Sequence, residues 1–477
     1  MKLYIDKVLY KILLLILSVC TLGSCQDDFL EVIPKGQLIA EKVVDYDQMF
    51  YNLRLINIST ANAQVPLSPE ILAFEPYFSN EALRTQRLYR WEGLVYDDEE
   101  NAGELENTME NLYIYNKIIN EVLEATEGTE QKKLSLQAEA KAGRAWVYFL
   151  LVNYYGMPYN EETSSTDLGF PIITEADLTG TDFSRATVEE NYQFIVQDLT
   201  EAIPNLPTNV ESRFRFTQAA GKALLGRVYT FMGRFEEAHP MLNDALDQMG
   251  NMGIDVRLTD YNAGEQSNNL RVDTYPEILY GKQFNNSWAS PYSVGSIAVK
   301  PEVMELYQET DLRFQLLYES TARDGKEYPV EGAYRKTVSS NTFFGVGVPE
   351  IYLFDAEVKC RLNDLAGAVE VLEDFRSHRM PPENAAVPAD IASNREALLQ
   401  FIFDERLREF AAQGFHWFDI RRLTVDPDIP TPVSDYTHTV YNADGSVKGE
   451  YQLTQERLVL RFPETVMDQN PNLINND

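Results

Sequence analysis

The chain has 477 residues, 74 of them acidic and 41 basic, for a formal net charge of -33 at pH 7. Such a charge repels phosphate backbones and anionic lipid, which argues against nucleic-acid binding and against membrane adhesion through basic patches. A hydrophobic fraction of 44% with 12% aromatic residues excludes general disorder, and the length allows one large or two intimate domains.

The first element is an export signal. Lys2, Lys7 and Lys11 precede an apolar run from Ile12 to Val19. That run is far short of the roughly 20 apolar residues a spanning helix needs, and Asp27 and Asp28 close it off. Leu22-Gly23-Ser24-Cys25 resembles the lipobox of bacterial lipoproteins. The resemblance implies cleavage before Cys25 and acylation of its thiol and of the new amino terminus. Two or more acyl chains hold a protein on a membrane stably where one does not. Cys20 leaves with the signal, so Cys25 and Cys360 remain. Cys360 sits in a helical pattern and is expected to be a small buried side chain.

Helical periodicity follows. In Asn111 to Ala125, residues Leu112, Tyr115, Ile118, Ile119 and Val122 share one face. The stretch Ala138 to Gly156 is a second helix, ended by Gly156 and Pro158. Thr187 with Glu190 forms a capping box for a third, which exits at Pro204 and Pro207. Ala219 to Leu246 resembles one tetratricopeptide unit, with Leu225, Gly226, Tyr229, Gly233, Phe235, Ala238, Leu242 and Ala245 at the repeat's spacings. Pro240 is assigned to the first turn of its second helix, where proline is tolerated. Ile351 to Arg379 is a weaker copy through Ala356, Ala368 and Leu372, and residues 108–155 are a further candidate. One repeat cannot bury its own face, so three or four helix pairs are expected to stack. The fold class is therefore mainly α, a tetratricopeptide-like scaffold carrying large irregular insertions. Residues 55–107, 251–350, 380–394 and 424–455, rich in Gly, Asn, Ser, Pro and Tyr, are those insertions.

Reaction chemistry leaves little trace. The four histidines, 239, 378, 416 and 438, are not spaced as metal ligands, and no nucleophile elbow or phosphate-cradling glycine motif occurs. No catalytic residue, metal or cofactor is assigned. A pair of carboxylates would suffice for a glycosidase, so an exported glycoside hydrolase stays as a remote alternative. Phe403 to Leu423 is dense in charge, with Glu405, Arg406, Arg408, Glu409, Asp419, Arg421 and Arg422. It is read as a partly buried ion-pair network locking the last helix pair, with Arg406 or Arg421 reaching Glu405 and Glu409. Phe415, Trp417 and Phe418 are read as core between those charges. Trp91 and Trp288 lie instead in irregular insertions. Trp91 stands beside Tyr89 in RLYRWEG with Tyr77 upstream, and Trp288 in NNSWASPYSVG with Asn286 and Tyr292. A flat ring beside short polar groups suits sugar stacking, so these six residues are the candidate ligand contacts.

Read end to end, the chain resembles the SusD/RagB family of outer-membrane lipoproteins. The resemblance rests on DFLEVIPKGQ after Cys25, AEAKAGRAWVYFLLVNYYGMP, IVQDLTEAIPNLP, RFTQAAGKALLGRVYTFMGRFEEA, YPEILYGKQF, FDERLREFAAQGFHWFDIRR and RFPETVMDQNPNLINND. Gln413-Gly414-Phe415-His416 departs from the family's usual charged pattern there. The resemblance implies a signal over residues 1–24, an N-terminal SusD-like half over 25–250 and a C-terminal SusD/RagB half over 251–477. It also implies a non-catalytic binding lipoprotein, lipid-anchored and displayed on the outer membrane. Such a protein captures a glycan for a SusC-like, TonB-dependent transporter, with the helical repeats toward the transporter and the loops toward the ligand. A peptide or glycopeptide ligand on the same architecture is the alternative. Asp27-Asp28 after Gln26 resembles the family's signal for surface display.

Overall fold

Several of the helices begin where a side chain satisfies the orphan amide groups of the first turn. In a computed structural model covering residues 40–477, apart from 181 and 267–269, nine long helices carry the scaffold. They are α1 (Gly103–Glu121), α2 (Glu130–Tyr155), α3 (Val188–Ala202), α4 (Gln218–Phe231), α5 (Phe235–Met249), α6 (Val348–Arg361), α7 (Leu365–Ser377), α8 (Arg395–Phe410) and α9 (Phe415–Leu423). Cys25 and the signal lie outside the described residues. The Thr129 hydroxyl caps α2, Thr187 and Glu190 form the expected capping box on α3, and Thr217 and Asn394 cap α4 and α8. Gly156 ends α2. Among the described residues no helix is long and apolar enough to cross a membrane.

The architecture is mainly α, with helices paired as the repeat pattern predicts. Helices α4 and α5 turn at Gly233, whose φ of 70° is left-handed. They close tightly because a Cβ on Gly226 would lie 2.7 Å from Leu242. Ala238, Leu242 and Ala245 are fully buried in that seam. The α6–α7 pair repeats the arrangement with Ala356, Ala368 and Leu372 fully buried. One detail differs from expectation. Helix α5 starts at Phe235, so Pro240 stands beyond its first turn, inside the helix. The amphipathic face of α5 carries the helix past the missing N–H.

The insertions are not structureless. All ten strands among the described residues lie in them: β1 (Ile71–Phe74), β2 (Ile278–Tyr280), β3 (Gln283–Asn285), β4 (Ile297–Val299), β5 (Tyr318–Glu319), β6 (Arg335–Lys336), β7 (Asn341–Phe343), β8 (Val346–Gly347), β9 (Thr437–Tyr441) and β10 (Val447–Gln452). One four-stranded sheet has the order β10-β9-β1-β4, with β1 antiparallel to β4 and parallel to β9. Two-stranded ribbons pair β2 with β8, β3 with β7 and β5 with β6. Loop chain from both halves thus meets in one sheet. Leu72 and Phe74 of β1 pack with Ala298, Ala322, Tyr328 and Ala333 in a satellite core under that region.

The charged segment at the end of the scaffold is a fully buried network. Glu405 accepts from Arg313, Arg376 and Arg408, at 2.6, 2.5 and 2.7 Å. Glu409 accepts from Arg313 and Arg379. Asp419 holds Arg406 and Arg422, and Arg422 also grips Glu357 at 2.6 and 2.8 Å. The partners differ from those expected. Arg406 goes to Asp419, and Arg421 goes to Asn153 and to the carbonyls of Leu458 and Gly156. The arginines that reach Glu405 and Glu409 come mainly from α7, from its end and from the 251–350 insertion, which sequence spacing could not bring near. Phe415, Trp417 and Phe418 are buried as expected. So is Cys360, whose thiol burial pushes up to about 11.

Candidate functional site

The six candidate residues fall into two groups. Tyr89, Trp91 and Asn286 face inward with their polar atoms engaged. The Tyr89 hydroxyl donates to Thr439 O at 2.7 Å, and the Trp91 indole donates to Leu67 O at 3.1 Å. Their rings sandwich the imidazole of His438, with centroids 4.1 and 3.9 Å away and nearly parallel planes. His438 Nδ1 and Nε2 lie 2.5 Å from Tyr89 O and 2.8 Å from Ser68 O. Burial pushes this imidazole down to about 3, against the two carbonyls, which favour its proton. Asn286 donates to Thr342 Oγ1 and Ala412 O, both at 2.9 Å, and accepts from Ala289 N. This group pins the sheet and the 285–290 loop to the scaffold.

Tyr77, Trp288 and Tyr292 belong to a second group, on the loops beside β1 and β4. Two carboxylates organise it. Glu81 accepts from the Trp288 indole at 3.3 Å and from Ser296 Oγ at 2.6 Å, tying the short helix region after β1 to the 287–296 loop. Asp324 accepts from the Tyr77 hydroxyl at 2.7 Å and pairs with Lys326 at 2.7 Å. Lys326, then Tyr77, hold the Asp324 carboxyl down to about 2. Arg323 donates to Tyr292 O at 3.1 Å, with its guanidinium 5.8 Å from the Tyr292 ring centroid. Trp288 is almost closed off, Tyr77 is half-buried, and Tyr292 is 73% exposed. Val294 and Leu83 are also exposed. The result is an open face with one exposed aromatic ring flanked by donors and acceptors of both signs. Such a face can stack a flat apolar surface and bind hydroxyls or amides at its rim.

Glu81, Ser296, Arg323, Asp324 and Lys326 escape the sequence reading. The Asp324-Gly325 pair signals a tight turn, and Gly325 has the left-handed φ of 82°. Nothing local says that this turn lies against Tyr77 and Tyr292.

Family models match two segments that together span more than half of the chain. Residues 28–230 match a family described as starch-binding, associating with the outer membrane, and residues 331–477 match the SusD family. The chain belongs to the SusD/RagB family. A SusD-like protein of Formosa agariphila is 22% identical over 359 residues, which is 63% of this chain and 68% of that protein. A SusD superfamily protein from Bacteroides thetaiotaomicron superposes with a TM-score of 0.70 at 19% identity, covering 91% of this chain and 100% of that one. A SusD-like carbohydrate binding protein from Bacteroides vulgatus gives 0.69 at 18% identity, covering 91% and 97%. These superpositions establish a shared SusD-like fold.

Proposed function

We propose that this SusD/RagB protein is a non-catalytic, cell-surface binding lipoprotein. Cys25 carries the acyl chains, the loop face holds a glycan, and a TonB-dependent outer-membrane transporter imports it. The observation that carries the reading is the loop face: Tyr292 presents its ring to solvent beside Arg323, Asp324 and Tyr77. A sugar ring offers C–H groups to such an aromatic face and hydroxyls to the flanking charges. Tyr292 and Tyr77 are the proposed direct contacts, Trp288 backs them, and Tyr89, Trp91 and Asn286 hold the platform. The matched family's description and the carbohydrate-binding relative support the same ligand class.

Calorimetry of the mature protein against soluble oligosaccharides tests the ligand, and binding of at least one is expected. Binding of protein fragments with no glycan binding would favour a peptide ligand, and sustained turnover by the purified protein would defeat the non-catalytic reading. For the anchor, Cys25→Ala is expected to leave a soluble or unprocessed protein in fractionated cells. A Cys25→Ala protein that stayed acylated and membrane-bound would refute lipidation at this position.

A further inference from the structure

A partly open cavity of about 110 Å³ lies between the β2–β8 and β3–β7 ribbons and the C-terminal end of α8. None of Tyr77, Trp288, Tyr292 or Glu81 lines it, so it is separate from the loop face. Seven aromatic residues contribute to its walls. Tyr275 and Phe343 stand 5.7 Å apart on one side, and Phe410 and Phe415 stack at 4.3 Å on another. Two of its carboxylates are saturated: Glu277 by Thr259, Tyr275 and Arg379, and Glu409 by Arg313 and Arg379.

Glu350 is different. It is only 6% exposed, its Oε2 accepts from Arg227, and its Oε1 has no hydrogen-bond partner among the described residues. Burial pushes its carboxyl up, against the pull of Arg227. The Tyr261 hydroxyl, the Asn341 side-chain amide and Gln413 Oε1, on residues that also line the cavity, are likewise free among the described residues. This inventory selects the ligand. A sugar carries a hydroxyl on nearly every carbon, and each one buried without a partner costs about 1–3 kcal/mol. The four open groups, Glu350 Oε1, the Tyr261 hydroxyl, the Asn341 amide and Gln413 Oε1, are fewer than the hydroxyls of a hexose. A planar ring with one donor at its edge covers the aromatic walls and needs only one acceptor. An apolar cavity of about 150 Å³ holds benzene, so at about 110 Å³ this cavity takes most of one six-membered ring and its open mouth takes the remainder.

We propose that the cavity binds a single phenol- or indole-type ring, whose O–H or N–H donates to Glu350 Oε1. The ring can arrive as a free small molecule or as an aromatic side chain of a peptide. Saturation-transfer NMR on the mature protein with phenol, indole, N-acetyltyrosinamide and N-acetyltryptophanamide tests this, with glucose as control. At least one ring probe is expected to bind at a single site with a Kd of about 1 mM or tighter. Free rings binding best would assign a small molecule, and the amides binding best would assign a side chain. Gly347→Leu fills the cavity, since a Cβ there meets nothing closer than Glu277 O at 3.6 Å. It should weaken binding at least about tenfold, while Tyr292→Ala leaves it unchanged. Should Gly347→Leu fold poorly, Asn341→Trp blocks the same cavity from its half-buried strand position. Absence of binding by every ring probe, wild-type affinity in both blocking variants, or glucose binding lost in those variants would each overturn the proposal. None of these results depends on whether the loop face binds a glycan.

Discussion

Lys336 places its ammonium in a closed space. It is 2% exposed, and its Nζ donates to Glu409 O at 2.8 Å. Burial pushes it down to about 7, against the attraction of Glu409. Between that value and the ordinary lysine range, the unfolded chain holds a proton that the folded one has released. Stability from this group is therefore full at high pH and is lost as the pH falls toward 7. Lys336→Met removes the effect. In urea melts, the wild type should lose up to about 1.4 kcal/mol per pH unit relative to Lys336→Met as the pH falls from 10 to 7. A constant difference across that range would mean the lysine stays charged in the fold. The candidate ligand contacts teach a related lesson. Residue type picked out the tyrosines and tryptophans of the insertions, but which rings face solvent was not legible. Trp91 is shut in by His438 from the far end of the chain, whereas Tyr292, three positions after a buried alanine, is open.

At the scale of elements, the helices were legible because their signals are local. Apolar periodicity, the Thr187 cap and the small residues at 226 and 238 act within a turn or across one hairpin. The strands were not, because they are two to six residues long and, apart from the β9–β10 hairpin, pair across longer sequence gaps, as Ala73 does with Val440. The ion-pair network stands between these cases. Its carboxylates were visible, but Arg313, Arg376 and Arg379 reach Glu405 and Glu409 only through the tertiary fold. Arg313, Arg408 and Arg376 hold the Glu405 carboxyl well below the usual range despite its burial. Glu405→Gln would leave three guanidinium groups without their shared anion. The expected loss is about 3–5 kcal/mol, as for other broken buried pairs, read from the urea midpoint at pH 7. A loss under about 1 kcal/mol would mean the cluster reorganises around the amide.

For the whole molecule, the division of labour is spatial. Paired helices and a buried charge cluster make a rigid scaffold, and the insertions fold into a small sheet that carries an open aromatic face. The membership in the SusD/RagB family could be reached from motifs spread along the chain, since the scaffold's packing demands recur in sequence. The ligand could not, since the proposed contacts sit on loops whose proximity only the fold creates. Glycan binding at the loop face around Tyr292, as proposed, is best checked by calorimetric titration of wild-type and Tyr292→Ala protein with the best-binding oligosaccharide. The variant is expected to bind at least about tenfold more weakly, roughly 1.4 kcal/mol, with an unchanged melting temperature. Equal affinity in the two proteins would place the glycan elsewhere and refute binding at this face.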